Sequence, residues 1–241
     1  TGSGKTTTLY SCLSEINNPE INILTAEDPV EYELQGIGQT QMKDSIGFNF
    51  ASALRSFLRQ DPDVVLVGEI RDRETSEIAI KASLTGHLVL STLHTNDAIN
   101  TISRLVNMGV PNYLIAAALS LIVGQRLARR ICPECKEVDD KVTDEHLTSI
   151  GFPAEQATRT KVYKGKGCPK CKGTGAKGRQ GIYEILDISD KIENAILQNK
   201  NITEIAEIAK EENFMTMQDM GRSLLVEGTI SFEEFQRVLE V

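Results

Sequence analysis

The sequence run that most constrains this chain is T-G-S-G-K-T, at residues 1–6. Gly2 and Gly4 lack a Cβ, so the backbone around them can curl and direct successive N–H groups into one anion-binding concavity. Lys5 adds a positive charge, and the following run to Leu13 predicts a helix whose N-terminal dipole also favours an anion. The pattern is typical of a loop that binds the phosphates of ATP together with Mg²⁺. The residues predicted to bind nucleotide are Gly2, Ser3, Gly4, Lys5, Thr6 and Thr7.

The alternative interpretation is a flexible glycine- and serine-containing start with a chance lysine. The full pattern G-x-x-x-x-G-K-[ST] places its first glycine two residues before Thr1. We therefore expect the chain to be a fragment of a longer protein. We also expect its central sheet to lack the strand that normally enters such a loop.

Charge and hydropathy exclude several classes of protein. The 241 residues carry a formal net charge of −8, which argues against a dedicated nucleic-acid binder because such proteins have a basic surplus. The longest apolar run, Tyr113–Val123, is about half of the roughly 20 residues that a membrane span needs, so no transmembrane segment is expected. A nucleotide motif beside paired cysteines indicates the reducing cytoplasm, where thiolates bind metal rather than form disulfides.

Short apolar runs alternate with amphipathic segments in the first half of the chain. Val64–Val67 is wholly apolar, which is the pattern of a strand buried on both faces of a parallel sheet. Leu88–Leu90 repeats this pattern, and Ile21–Thr25 is a short β-branched run. Strands that alternate with helices predict an α/β doubly wound core. The helices predicted here are Phe50–Arg59, Glu74–Leu84, Ala98–Met108 and Tyr113–Ala128.

The composition changes after Arg129. From there to about Gly181 the chain is rich in lysine, glycine and cysteine, with weak periodicity apart from a helix predicted near Asp144–Ile150. We therefore predict three domains: a core at residues 1–130, a cysteine-containing subdomain at 131–181 and a C-terminal helical subdomain at 182–241.

The last subdomain begins with a strand predicted at Ile182–Leu186. Ser231 and Glu234 have the spacing of a capping box for its final helix. The helices predicted in this part are Lys191–Gln198, Ile205–Lys210, Met217–Val226 and Phe232–Leu239.

An acidic residue follows the buried strand Val64–Val67. We predict that Glu69 orients and activates an attacking water, the alternative being a solvated glutamate after a strand. Gly68 occupies the place where an aspartate commonly positions Mg²⁺, so another acid must organise the metal. The acids that could do so lie at the end of another predicted strand: Glu27, Asp28 and Glu31.

Histidines and arginines surround the same strands. His94 follows a buried strand, which suits a sensor that touches the γ-phosphate or the active-site acid, while a satisfied structural histidine is the alternative. The same alternative is stronger for His87, at the start of that strand. Four arginines bracket the acidic strand and can neutralise phosphate charge or pair with acids at a subunit boundary: Arg55, Arg59, Arg71 and Arg73.

Two C-P-x-C motifs predict a metal site. Each presents two thiolates from one tight turn, and two such turns facing each other complete a tetrahedral four-sulfur site that suits Zn²⁺. Disulfides or free thiols are the alternatives. Nearby lysines at 164, 166, 170 and 172 would offset the negative charge of four thiolates. The predicted zinc ligands are Cys132, Cys135, Cys168 and Cys171, in a closed structural site.

Three segments resemble motifs of the secretion ATPase superfamily, the hexameric motors of type II secretion and type IV pilus assembly. They are Ala26–Glu31 (AEDPVE), Leu58–Asp72 (LRQDPDVVLVGEIRD) and Thr85–Asn96 (TGHLVLSTLHTN). The resemblance implies a RecA-like phosphate-loop ATPase core that works as a homo-hexamer, peripheral on the cytoplasmic face of the inner membrane, against a platform protein. It implies Glu69 as catalytic, Glu31 and Asp28 near the metal, and His94 near the nucleotide. An N-terminal domain, which supplies arginines in trans, is expected outside this chain.

Within the superfamily, Phe50–Asp61 and Gln125–Cys132 are more similar to pilus-assembly motors than to type II secretion motors. The paired cysteines are similar to an insertion of assembly and secretion motors that retraction motors generally lack. We therefore expect an ATPase that drives pilin polymerisation, with a type II secretion ATPase as the alternative. A zinc-ribbon, nucleic-acid-dependent ATPase is a further alternative that net acidity disfavours. A non-hydrolysing adaptor is disfavoured because Lys5, Thr6 and Glu69 are all present.

Overall fold

The computed structural model describes residues 2–239, and Thr1, Glu240 and Val241 lie outside the described residues. The chain forms two compact units. The sheet unit contains residues 5–122 and 186–213, and the cysteine unit contains residues 2–4, 123–185 and 214–239.

A four-stranded parallel sheet organises the sheet unit, so the α/β fold class predicted from the sequence is confirmed. Its spatial order is β2-β1-β3-β4. All four residues of the central strand are buried, because Val65 and Val67 pack into the core on one face while Val64 and Leu66 pack into the core on the other. The strands are β1 (Ile23–Glu27), β2 (Gly38–Gln41), β3 (Val64–Val67) and β4 (Leu88–Ser91).

Several helices of this unit begin at polar caps that the sequence supplies. The side chains of Asn49, Asp72 and Asp97 each accept a backbone N–H in the first turn of the helix that follows. The helices are α1 (Lys5–Ile16), α2 (Phe50–Phe57), α3 (Arg73–Leu84), α4 (Ala98–Asn107), α5 (Asn112–Ala118), α8 (Asp190–Leu197) and α9 (Ile202–Glu211).

The helix predicted at Tyr113–Ala128 is wrong in its second half. Helix α5 ends at Ala118, and the chain continues as the long strand β5, Leu121–Ile131. Gly124 lets the buried Glu184 side chain pack against β5, because a Cβ there would lie 2.6 Å from it. The first part of the apolar run is therefore helical and the second part is a strand. The sequence pattern does not separate the two parts, because the difference depends on the elements that pack against each.

The cysteine unit contains two-stranded sheets and four short helices around its own core. Strand β5 pairs with β8 (Ala176–Asp187), which is longer than the predicted Ile182–Leu186, and β6 (Lys136–Val138) pairs antiparallel with β7 (Tyr163–Gly165). Its helices are α6 (Asp144–Ser149), α7 (Ala154–Ala157), α10 (Met217–Val226) and α11 (Phe232–Leu239).

Only half of the capping box predicted at Ser231 and Glu234 forms. The Ser231 hydroxyl accepts the Glu234 backbone N–H at 3.2 Å, but the Glu234 carboxylate binds Arg129 and Arg237. Burial alone would raise the pKa of Glu234, yet hydrogen bonds from Arg237 and Arg129 outweigh it and lower the pKa from 4.5 to about 2. The carboxylate therefore belongs to a tertiary contact between α11 and β5.

Replacing Glu234 by glutamine should destabilise the cysteine unit by about 2 kcal/mol at pH 7, since both arginines are half-exposed and solvent screens part of the interaction. The folded-state pKa is depressed, so this stability is present above pH 4.5 and is lost as the pH falls toward 2. Denaturant unfolding between pH 7 and pH 3 measures the effect. Glu233→Gln, at an exposed neighbour, is the control and should change neither stability nor its pH dependence.

Across residues 2–239, no helix combines the length and the apolar character needed to cross a bilayer.

Candidate functional site

The carboxyl ends of β1, β3 and β4 are held together by short hydrogen bonds. The Gly68 N–H donates to Ala26 O at 2.7 Å, and the Ile70 N–H donates to Thr92 O at 3.0 Å. The Thr92 hydroxyl donates back to Gly68 O at 2.7 Å. The segment that carries Glu69 is therefore fixed between the strand ends on either side.

Glu69 lies at the centre of this edge with its side chain 12% exposed. One oxygen, Oε1, accepts a hydrogen bond from Arg71. The other, Oε2, lies 3.3 Å from His94 Nε2 but is buried and without a hydrogen-bond partner, because that contact has ion-pair distance without hydrogen-bond geometry. A buried carboxylate oxygen without a partner is costly, so a water molecule or another hydrogen-bond donor is expected beside it.

The structure explains why glycine precedes this acid. A Cβ on Gly68 would lie 3.1 Å from Ala26 O and 3.4 Å from Glu27 Cα, so a side chain here would contact the β1 backbone closely. Glycine relieves this contact between β1 and β3.

The three acids after β1 have different environments. Glu27 is buried, and its carboxylate accepts hydrogen bonds from Tyr10, Thr25 and Gln39. Asp28 and Glu31 are exposed, as a metal or substrate ligand would be. The sequence did not identify the partners of Glu27, although Thr25 and Glu27 stand two residues apart on one strand and therefore share a face.

Asp28 lies close enough to Arg71 to affect the pKa of the guanidinium group. The hydrogen bond and charge of Glu69 are the main causes that raise the pKa of Arg71, and Asp28 adds to them. Arg71 is therefore the arginine that the structure places beside the acidic residues. Arg55 pairs with Glu74, and Arg73 pairs with Glu77 on the same helix at 2.7 Å.

The two histidines, His87 and His94, have different environments. His94 is exposed and faces Glu69, as described above. The Nδ1 atom of His87 contacts Ala82 O at 2.9 Å and the Thr85 hydroxyl at 3.1 Å, within the turn between α3 and β4. His87 therefore has the contacts of a structural residue.

The glycine-lysine run begins helix α1. Gly2 and Gly4 have φ of 78° and 86°, in the left-handed region that residues with a side chain rarely adopt. Lys5 is the first residue of α1, so Thr6 and Thr7 lie in the first turn, where backbone N–H groups are free of intrahelical partners. Left-handed glycines that lead into a helix N-terminus are the backbone features expected of a phosphate-binding loop.

Four cysteines of the cysteine unit converge. Their Sγ atoms all lie within 4.8 Å of one another. The distances are 3.9 Å for Cys132–Cys168 and Cys135–Cys171, and 3.7 Å for Cys168–Cys171. Four ligands about 2.3 Å from one tetrahedral Zn²⁺ lie about 3.8 Å apart, so the sulfurs fit zinc. They are too far apart for disulfides, whose sulfurs are about 2.05 Å apart.

Backbone amides stabilise negative charge on these sulfurs. The Cys168 N–H donates to Cys171 Sγ at 3.1 Å, and the Gly167 N–H donates to Cys135 Sγ at 3.3 Å. The amide of Cys168 is the main cause that lowers the pKa of Cys171 to about 6, while burial raises the pKa of Cys135 to about 12. The amide contacts therefore favour a thiolate at Cys171, whereas burial disfavours one at Cys135.

The nearby lysines contribute less than the sequence indicated. Lys164 pairs with Asp139 at 2.9 Å, and Lys170 pairs with Glu134 at 3.0 Å. These two ammonium groups bind carboxylates, so they are less available to offset the charge of the sulfurs.

Glycines allow the chain that enters the second cysteine turn to approach the chain that leaves it. A Cβ on Gly165 would lie 1.9 Å from Gly175 O, and one on Gly167 would lie 2.7 Å from Gly173 O. Backbone therefore contacts backbone at both crossings, which accounts for the glycines that surround the second cysteine pair.

Comparisons with known proteins show which family the chain belongs to. The family described as "Type II/IV secretion system protein" matches residues 1–237. The type IV pilus assembly ATPase PilB of Myxococcus xanthus is 49% identical over 234 residues, which are 97% of this chain and 41% of that protein. The type II secretion system protein E of Klebsiella pneumoniae is 48% identical over 241 residues, which are 100% of this chain and 47% of that protein.

A solved structure gives the same result for the fold. The crystal structure of the pilus retraction motor PilT with bound ADP is similar with a TM-score of 0.70 and 31% identity, over 98% of this chain and 58% of that one. The chain spans less than half the length of the PilB and protein E relatives. The matched family and the identity to these relatives show that the chain belongs to the type II/IV secretion system protein family.

Proposed function

We propose that the chain is the ATP-hydrolysing part of a hexameric motor that powers type IV pilus assembly. The observation that carries the proposal is the buried, unpartnered Oε2 of Glu69 beside His94. A carboxylate held in this way is ready to accept a proton or a hydrogen bond from a water molecule. Relatives named pilus assembly ATPase PilB support the choice of machine.

Phosphoryl transfer requires that the reacting groups are positioned and that the phosphate charge is neutralised, and different residues would perform each task. Amides of Gly2, Ser3 and Gly4, with Lys5, would hold the phosphates of ATP. Thr6 would bind Mg²⁺, with Thr7 beside it, and Asp28 and Glu31 would complete the oxygen environment that this ion prefers. Bound Mg²⁺ supplies charge neutralisation at the β- and γ-phosphates.

Glu69 would orient the attacking water and accept its proton, and His94 would sense whether a γ-phosphate is present. In the described conformation Arg71 and His94 both lie against the Glu69 carboxylate. We therefore expect one of them to move when ATP and water enter. His94 could then sense the nucleotide, because the group that it contacts would differ with and without a bound γ-phosphate.

Zn²⁺ would be bound by Cys132, Cys135, Cys168 and Cys171. All four ligands come from the protein, so the site is closed and its role is structural. It would hold together the subdomain predicted at residues 131–181, where backbone rather than side chains makes the contacts at the two glycine crossings beside the second cysteine turn.

The alternative machine is type II secretion, in which the motor would drive a pseudopilus. Protein E relatives are as similar as the PilB relatives, at 48% and 49% identity. In both cases the protein would sit in the cytoplasm against the inner membrane and act on a platform protein. Nucleic acid is not expected as a partner.

The proposal is tested in the source bacterium by deleting the gene for the complete protein. We expect surface pili to disappear and to return when the gene is restored, and we expect the purified protein to hydrolyse ATP at a rate that single-stranded DNA does not change. Loss of secreted enzymes with normal pili would instead support type II secretion. Stimulation by DNA would overturn the motor proposal.

A further inference from the structure

We propose that Tyr10 is a positioning residue that ties the helix after the phosphate loop to the acidic segment Asp28–Glu31, through the buried carboxylate of Glu27. The inference rests on the proposed ATP hydrolysis, because it assigns how Glu31 is held in place. The three parts belong to α1, β1 and the loop that follows β1, all within the sheet unit.

The Tyr10 hydroxyl makes contacts in two directions. Its single proton must go to Glu27 Oε2, since an ionised carboxylate only accepts hydrogen bonds. Its oxygen then accepts the backbone N–H of Glu31 at 3.3 Å. Tyr10 is 1% exposed, so water does not compete for either bond. One hydroxyl therefore connects the phosphate-loop helix to the backbone of the proposed metal-site acid.

Glu27 is held from its other side by neutral donors. The Thr25 hydroxyl donates to Glu27 Oε1 at 2.5 Å, and the Gln39 amide donates to the same oxygen at 3.1 Å. Both carboxylate oxygens are thus occupied within the protein, and the residue is 3% exposed. Glu27 is therefore unsuited to bind Mg²⁺, and its contacts orient the residues around it.

Gln39 extends the connection to the loop between β1 and β2. Its Nε2 also lies 3.3 Å from the Tyr10 hydroxyl and 3.2 Å from Tyr32 O, and its Oε1 accepts the Leu34 N–H at 2.6 Å. The ring of Tyr32 packs edge-on against Tyr10 with centroids 4.7 Å apart. The acidic segment is consequently held at its start, at Glu31 and just beyond, by one network that reaches α1.

Burying a carboxylate among neutral donors costs free energy that an apolar group of the same shape would not. Stability alone therefore does not account for Glu27. Burial is the main cause that raises the pKa of Tyr10 to about 12, so the hydroxyl keeps its proton and remains a donor at every physiological pH.

Tyr10→Phe in the complete protein tests the assignment. We expect kcat for ATP hydrolysis to fall about tenfold and the Mg²⁺ concentration for half-maximal rate to rise about fivefold, with KM for ATP changed less than about twofold. Combining Tyr10→Phe with Glu27→Gln should cost little more than the larger single effect, because both variants break the same connection. Tyr32→Phe removes a hydroxyl from an exposed neighbour and is the matched control, with wild-type kinetics expected.

A Tyr10→Phe protein that melts earlier but keeps its kcat and its Mg²⁺ dependence would show a structural role only and overturn the inference. Additive effects of the two variants would also overturn it. The proposed function is tested separately. A wild-type protein that does not hydrolyse ATP, or a Glu69→Gln variant with intact turnover, would contradict the proposed function and not the role of Tyr10.

Discussion

Replacing Glu69 by glutamine should reduce ATP turnover by about a thousandfold while leaving ATP binding within about twofold of wild type. The reason is the oxygen Oε2, which is buried without a hydrogen-bond partner and faces His94. Glutamine keeps the shape of the side chain but cannot accept a proton at neutral pH. Steady-state hydrolysis and equilibrium binding of a fluorescent ATP analogue, measured on the complete protein, separate the two effects.

Stability distinguishes this loss from unfolding. The Glu69 carboxylate is desolvated, and its partner Arg71 is 63% exposed, so the ion pair contributes little to the free energy of unfolding. We therefore expect Glu69→Gln to leave Tm unchanged or slightly raised. Glu74→Gln is the matched control, since it removes an exposed carboxylate that pairs with Arg55, and it should keep full turnover. Wild-type turnover in Glu69→Gln would remove this residue from the mechanism.

Replacing Cys171 by serine should abolish zinc binding and unfold the region around the two cysteine turns. Wild-type protein is expected to contain one zinc ion per chain by elemental analysis, since four sulfurs converge at tetrahedral spacing. Structural zinc sites in small peptides contribute about 10 kcal/mol or more, so we expect Tm to fall by more than about 10 °C. Strong chelators should produce the same change in the wild-type protein.

The fifth cysteine provides the control. Cys12 is exposed on α1 and belongs to the sheet unit, so Cys12→Ser should retain the full zinc content and the wild-type Tm. Protein purified under reducing conditions with no metal, and with the thiols of all five cysteines free, would overturn the zinc assignment. A mass lower by four hydrogens would instead indicate two disulfides.

The sequence predicted elements best where hydrophobic periodicity and capping residues agree. Strand Val64–Val67 and helices Met217–Val226 and Phe232–Leu239 have the predicted bounds. Strand β2, with the sequence GQTQ, was not predicted because it has no apolar alternation and owes its conformation to pairing with β1. The helix prediction after Ala118 was wrong for a related reason. An apolar run is compatible with either a helix or a strand, and the neighbouring elements decide which one forms.

The candidate site shows the same division. Glu69 and the four cysteines follow from motifs whose spacing is local, so they could be chosen from the sequence. The contact between Glu69 and His94 depends on the register of β3 against β4, which pairs Val67 with Ser91. The buried network of Tyr10, Glu27 and Gln39 joins residues from a helix and two strands, and no sequence spacing indicates it.

The sequence by itself thus predicts the local features of the site. These are a curled loop that attracts phosphate, a wholly apolar strand that ends at an acid, and cysteine turns that suit zinc. These depend on backbone freedom, hydrophobicity and ligand type, which are properties of a residue and its near neighbours. Which acid stays exposed and which is buried depends on what packs against it. Glu27 and Glu31 are four positions apart and chemically identical, yet folding surrounds one with donors and leaves the other open to solvent.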